Sequence, residues 1–352
     1  MFEKEEYAVR KQNIIILTVL ASLLFPRIGG VHAGEIITSV PAIASIIENV
    51  TDEKPDILTR DRTAACVHDT HLKPTDIMGI ARAELIVIVS RDFEPYYNVL
   101  MKFKDKRTPV IELATLKGML ILPARHGKMW PEHHHSHDGE YRNDDREEHA
   151  SHDDEHDERR HQNENKGHHI GEHEDHEGHE HHHGDANDYH LWLDPDNAVR
   201  IAEAVTDAAS RIHPDQTDFY RQNYNRFAER VNEMVKNGRA TVAEKTGRRY
   251  MVSHDSIQYL EHFFNLSGVG AISDLESGEI SIKKALSVER EIKENNVQLL
   301  LIAGNTYPQS LGRLKKENTL EVKNIDILGT SLPMGKDLYF QMMTNILNAV
   351  CR

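Results

Sequence analysis

Three histidines and one aspartate occupy comparable places in this chain. They are His68 in "CVHDTHLKPTD", His190 in "DYHLWLDP", His254 in "YMVSHDSIQYL" and Asp326 in "NIDILG". His254 and Asp326 stand at the ends of β-like runs, His68 sits in a loop ahead of a helical pattern, and His190 lies two residues before Trp192. In an α/β protein, loops at the carboxyl ends of strands present side chains to the ligand cleft. Neutral imidazole suits zinc, copper, nickel and cobalt, and one added carboxylate completes a four-coordinate site. Taken singly, each histidine is ordinary as a core or surface residue. The signal lies in the repetition of the same strand-end placement.

A second group of histidines has a different chemistry. Seventeen of the 24 histidines fall between His126 and His183, interleaved with carboxylates. They include His133, His134, His135, His137, His168, His169, His173, His176, His179, His181, His182 and His183. Residues 126–188 carry almost no apolar side chains, so they cannot offset their own ordering entropy and read as a disordered insertion. Imidazoles in such a chain offer several weak, exchangeable metal sites, and the acidic field concentrates cations. Occupancy should fall below about pH 6, as imidazole protonates.

The elements that must position the first group follow from the apolar pattern. "EIITSV", "PDILT", "ELIVIVS" and "PVIELA" read as strands, and "PAIASIIENV", "KPTDIMGIARA" and "FEPYYNVLMKF" as helices between them. That alternation builds a parallel sheet covered by helices. Asp194-Pro195 opens a further helix. The spacing from Phe219 to Val235 predicts a long helix over 216–243. Beyond it, "RYMVSH", "VGAIS", "VQLLLIAG" and "NIDILG" read as strands, and "DSIQYLEHFF", "IKKALSVEREIKENN" and "LYFQMMTNILNAVC" as helices. The fold class is therefore α/β: two βα-type lobes with parallel-rich sheets, joined by a long backbone helix, with a metal site in the cleft between them. The expected divisions are a first lobe at 34–213 containing the insertion, a linking helix at 214–246 and a second lobe at 247–352. A long helix joining the lobes would resist wide hinge closure.

Residues 1–33 read as a secretory signal. "RKQN" supplies positive charge, "IIILTVLASLLF" a short apolar core, and "VHAG" a cleavage site after Ala33. The expected destination is a bacterial periplasm. Export permits a disulfide, but Cys66 and Cys351 lie far apart in sequence and their pairing stays open. Residues 131–188 hold 20 acidic against 5 basic side chains, which is the whole of the net charge of −15. A balanced body with one acidic tract argues against nucleic-acid binding, which needs a basic face.

The stretches "VHDTHLKPTD", "DYHLWLDP", "YMVSHDSIQYL" and "IDILG" resemble the landmarks of the zinc-binding proteins of bacterial ABC importers, the ZnuA-like cluster A-I solute-binding proteins. The resemblance runs from about residue 35 to the C-terminus, and the acidic histidine tract falls where many zinc members carry one. It implies His68, His190, His254 and Asp326 as ligands of one tight zinc site, and a histidine at position 254 goes with zinc rather than manganese. Some positions depart from the family pattern. "IAGNTYPQ" has Gly304 and no carboxylate where members often have a glutamate, Val67 replaces a glutamate sometimes found before the first histidine, and His71 stands at a usually small polar position.

The leading reading is a periplasmic receptor, expected to be a monomer, that captures zinc and delivers it to an ABC permease in the inner membrane, with the tract collecting zinc. Other readings are a receptor for manganese, nickel or cobalt, and a storage or chaperone protein acting through the tract. An enzyme is the remaining alternative. The His68-Asp69 and His254-Asp255 pairs are compatible with a metal-dependent phosphohydrolase. No nucleophile elbow, phosphate loop or H-E-x-x-H motif supports catalysis.

Overall fold

The run Leu85–Ile88 is buried on both faces, and that fixes the layout of the first lobe. A strand with no exposed face needs neighbours on both edges and helices above and below. The computed structural model describes residues 36–58, 72–127, 129–130, 187–244, 247–272, 282–304 and 320–352. In it, β3 (Leu85–Ile88) lies between β1 (Ile36–Thr38) and β4 (Val110–Glu112), and β2 (Asp56–Ile57) pairs with the far edge of β1. All three pairings are parallel, with Ile37 opposite Ile86 and Val87 opposite Ile111.

The first helix, α1 (Pro41–Thr51), starts on a proline and stops at Asp52, whose left-handed φ of 63° lets its N–H reach Glu48. It is buried almost all round, as an interior helix must be. Two short helices follow, α2 (Pro74–Ile80) and α3 (Tyr97–Phe103). The sequence pattern places the start of α3 at Phe93. Residues 91–96 instead form turns, because Pro95 biases Glu94 away from helical geometry.

Next, β5 (Leu122–Pro123) pairs antiparallel with β6 (Asn187–Asp188), the segment with which the described chain resumes after the histidine tract. The helix α4 (Pro195–Ile212) is capped by Asp194, whose carboxylate accepts from the N–H groups of Asp196 and Asn197. The 27-residue α5 (Thr217–Ala243) then carries the chain to the second lobe. Its buried side chains, among them Tyr220, Phe227, Val231 and Met234, recur at helical spacing along one face. Gly238 is required on that face, since a Cβ there would sit 2.8 Å from the ring of Phe264 and 2.9 Å from Leu347.

The second lobe has a parallel sheet in the order β7 (Tyr250–Val252), β8 (Leu299–Ala303), β9 (Glu321–Ile325). Alternation along these strands divides the core. Tyr250, Val252, Leu299 and Leu301 join the main core, whereas Met251, Leu300 and Ile302 face a smaller cluster with Val288 and Ile292 of α7 (Ile282–Glu294). The helix α6 (Gln258–Phe264) follows β7. The last helix, α8 (Leu338–Cys351), crosses back to pack on α1 and α5, and Cys351 is buried in it. Cys66 lies outside the described residues.

Two expected strands differ. Among the described residues, "VGAIS" runs beside β7, with Val269 N donating to Tyr250 O and Ile272 N to Val252 O, but forms one isolated bridge, Ala271 to Val252, and no strand. In "NIDILG" the strand ends at Ile325, and Ile327 and Leu328 fall in the following turn, although both are buried. No described helix is long and apolar enough to cross a membrane.

Candidate metal centre

His190 is set by the chain that returns from the histidine tract. Asp188 ends β6, and its Oδ1 accepts both the backbone N–H of His190 at 2.9 Å and ring Nδ1 at 2.8 Å. A carboxylate at Nδ1 holds the proton there and makes Nε2 the lone-pair nitrogen, the arrangement that prepares an imidazole to bind a metal. His190 is only 4% exposed. Its ring stands edge-on to Phe93 at 5.9 Å and to Trp192 at 5.5 Å.

These aromatic walls are themselves fixed. Phe93 precedes Glu94, whose buried carboxylate caps the ends of β1 and β3, accepting from Ser39 Oγ at 2.6 Å and from the N–H groups of Val89 and Ser90 at 2.9 and 3.0 Å. Trp192 is fully buried and donates its indole N–H to Ile327 O at 2.8 Å, across to the second lobe.

His254 lies two residues beyond β7 and is 7% exposed. Ser253 anchors the strand end: its N–H donates to Leu301 O at 2.8 Å, and its Oγ accepts from Ala303 N at 2.9 Å. The rings of His190 and His254 face each other at 5.3 Å and 73°. Two imidazoles bound to one tetrahedral ion through bonds of about 2.05 Å would have centroids about 5.2 Å apart. An edge-to-face ring contact also permits that spacing. One ligand candidate from each lobe therefore meets its counterpart at metal-sharing distance.

Asp326 follows β9 directly, and its carboxylate organises the next turn. Oδ1 accepts from the N–H groups of Gly329 at 2.7 Å, Thr330 at 3.1 Å and Leu328 at 3.3 Å, while Oδ2 accepts from Ser331 N at 2.8 Å and Oγ at 2.5 Å. Among the described residues, no group of three or more His, Cys, Asp or Glu side chains is placed to hold one metal ion. Asp326 is thus not gathered with the two histidines, although its neighbour Ile327 takes the Trp192 bond. His68 and all twelve tract histidines named above lie outside the described residues.

Sequence reasoning missed Asp188, which could have been found two residues before His190 at the end of an extended stretch. It also missed Arg125, for which no sequence signal exists. The side chain of Arg125 grips both oxygens of Asp255, with Nε at 2.9 Å, and donates through Nη1 to Glu261 Oε2 at 2.6 Å. Burial alone would lower the Arg125 pKa, but the two carboxylates outweigh it and raise it. Burial pushes Glu261 up, against the pull of Arg125 and of the Tyr250 hydroxyl, which donates at 2.5 Å.

Comparison with known proteins agrees with this layout. The profile of the family described as "ZnuA: Zinc-uptake complex component A periplasmic" matches residues 36–351. A curated relative, the "High-affinity zinc uptake system protein ZnuA" of Yersinia pestis, is 22% identical over 348 residues, covering 97% of this chain and 98% of that protein. Among solved structures, one described as the crystal structure of ZnuA aligns with a TM-score of 0.62 at 18% identity, over 91% of this chain and 98% of its own. The Zn(II)-bound ZnuA-like domain of Streptococcus pneumoniae AdcA aligns with a TM-score of 0.61 at 15% identity, over 91% and 100%.

Proposed function

Because this chain belongs to the ZnuA family of periplasmic zinc-uptake components, we propose that it captures zinc in the cleft between its lobes and delivers it to an ABC permease in the inner membrane. Family membership makes it a zinc-uptake component, and in this reading zinc is cargo and no catalytic step is needed. The observation that carries the reading is the pair His190 and His254, one from each lobe, with ring centroids 5.3 Å apart and the Nδ1 of His190 held by Asp188. Nitrogen donors of this kind favour zinc over manganese or magnesium. His68 and Asp326 complete the proposed set of four. For Asp326 to ligate, the turn at 328–331 must give up part of its hold on the carboxylate.

The histidine tract acts in this reading as an accessory collector with several weak sites. Support comes from the segment that follows it: β6 ends on Asp188, the partner of His190. The N-terminal 33 residues serve as the export signal, and the mature protein acts as a monomer.

The test is a zinc titration against a competing chelator, on the mature protein with residues 133–184 replaced by a short Gly/Ser linker. One tight site per chain, lost in His190→Ala and retained without the tract, is expected. Weak binding indifferent to His190 would refute the cleft as the functional site and assign zinc binding to the tract.

A further inference from the structure

Among the described residues, Arg125 touches none of the proposed metal ligands, yet it is built into a closed network beside one of them. Its guanidinium lies over the Trp130 ring, 3.4 Å from the centroid. It holds Asp255, the residue after His254, through both carboxylate oxygens, and reaches Glu261 with its remaining arm. Glu261 is 3% exposed, and its other oxygen accepts from Tyr250 Oη at 2.5 Å and from Gly268 N at 2.9 Å. Tyr250 begins the strand that presents His254, and Glu261 lies in the helix that follows it. Every charged group in the network is therefore bound to the same short stretch, residues 250–261, that carries the ligand.

Arg125 comes from outside that stretch. It belongs to a strap, described at residues 122–127 and 129–130, that leaves the first lobe and crosses the second. Leu122 N donates to Tyr259 Oη at 3.0 Å, Gln258 Nε2 donates to Pro123 O at 3.2 Å, and Ala271 N donates to Met129 O at 2.8 Å. Tyr259 Oη in turn donates to Asp188 O at 2.6 Å, on the segment that positions His190. The strap thus touches the supports of both histidines. Planar guanidinium with two carboxylates is a geometry that lysine cannot reproduce.

We infer that Arg125 is a positioning residue for metal binding. By clamping Asp255 and Glu261 from across the cleft, it fixes the turn that presents His254 and keeps the Asp255 carboxylate turned away from the metal. This inference rests on the cleft reading proposed above. It adds a residue that acts through its hold on Asp255 and not by touching the ion, as partners behind metal ligands do.

The test uses the full mature chain, with a chelator strong enough to keep the weak tract sites empty. Arg125→Gln removes the clamp. Because two buried carboxylates are then left without their cation, the double variant Arg125→Gln/Asp255→Asn is measured beside it, to keep a folded protein in hand. Arg125→Lys is the conservative control. The readouts are zinc affinity, the visible d–d spectrum of the Co(II)-loaded protein and the unfolding midpoint without metal. Expected are zinc binding weakened by about 10- to 100-fold in the Gln variants, an altered Co(II) spectrum, and partial recovery with Lys. Unchanged affinity and spectrum, with only a lower unfolding midpoint, would show a structural tie with no part in positioning and would overturn the inference. If wild-type protein shows no tight site, or His190→Ala leaves it intact, the cleft reading fails and this inference falls with it.

Discussion

Trp192→Phe removes the indole N–H that Ile327 O accepts at 2.8 Å while leaving an aromatic ring in the wall of His190. The residue is fully buried, so water does not simply replace the lost donor. An orphaned buried carbonyl costs about 1–3 kcal/mol. The smaller ring also leaves a void on the order of 40 Å³, worth roughly 1 kcal/mol at about 24 cal/mol per Å³. Together the change should destabilise the metal-free protein by about 2–4 kcal/mol. Urea unfolding followed by far-UV circular dichroism measures this without relying on the deleted fluorophore. Tyr339 donates from Oη to Trp192 O at 3.2 Å, and this bond survives the substitution. A loss below about 1 kcal/mol would refute the reasoning, because it would mean that the Ile327 turn finds another donor at little cost. Since Ile327 follows Asp326, the same variant should also gain less stability from added zinc than wild type does.

Three further substitutions probe separate parts of the argument. Gly270→Ala places a Cβ 2.4 Å from the backbone oxygen of Met129, an atom that cannot step aside without breaking the Ala271 bond. It should cost about 1–3 kcal/mol in unfolding experiments, and wild-type stability would mean the strap is not held at that point. Asp188→Ala frees ring Nδ1 of His190 from its acceptor and should weaken zinc binding by about 10- to 100-fold in chelator competition, whereas an unchanged affinity would exclude Asp188 as the orienting group. Arg91→Ala removes the guanidinium that grips Glu112 at 2.8 and 3.1 Å and, with its backbone N–H, lowers the Glu112 pKa against the opposing effect of burial. A carboxylate with a depressed folded pKa stabilises above its unfolded pKa and loses that benefit as pH falls through the folded value. The variant should therefore melt slightly below wild type at pH 7, the effect being small for so exposed a pair, and the gap should close as pH falls below the ordinary glutamate value of 4.5. A gap that does not narrow as pH falls below 4.5 would assign the loss to packing instead.

Much of the fold was legible because its central strands are buried on both faces. "ELIVIVS" and "VQLLLIAG" are apolar throughout, and β3 and β8 lie at interior positions of their sheets. The edge strand β9 was misplaced for the opposite reason. Only Ile325 of "EVKNI" is buried, so the apolar signal pointed past it to Ile327 and Leu328, which are buried by a turn that the Asp326 carboxylate ties. Strand-end logic brought His190 and His254 to attention without showing that their rings meet. The pairing of β5 with β6 was not legible at all: two dipeptides separated by the histidine tract carry no periodicity. Arg125 was hidden in the same way, since its partners lie 130 and 136 residues away.

The way the lobes are joined limits how a bound metal can be released. α5 alone would leave room for bending, but other ties cross between the lobes as well. Ala42 N donates to Leu328 O at 3.0 Å, Ser45 Oγ to Gly335 O at 2.8 Å, and Asn49 Nδ2 to Lys336 O at 2.7 Å, all from α1 to the segment ahead of α8. The Trp192 bond and the return of α8 onto α1 add to them. A wide rotation would break several part-buried hydrogen bonds at once together with the buried Trp192 bond, whose carbonyl alone costs about 1–3 kcal/mol when left unmade. The Asp326 turn is partly exposed, so water can replace its bonds at less cost than buried ones. Affinity is therefore expected to change through rearrangement of this turn, with the lobes nearly fixed. Small-angle scattering of the metal-free and zinc-loaded protein, with the tract replaced by a linker, should give superimposable profiles. A change in radius of gyration characteristic of hinge closure would show that the ties between α1 and the C-terminal segment yield, and that release works by opening the lobes.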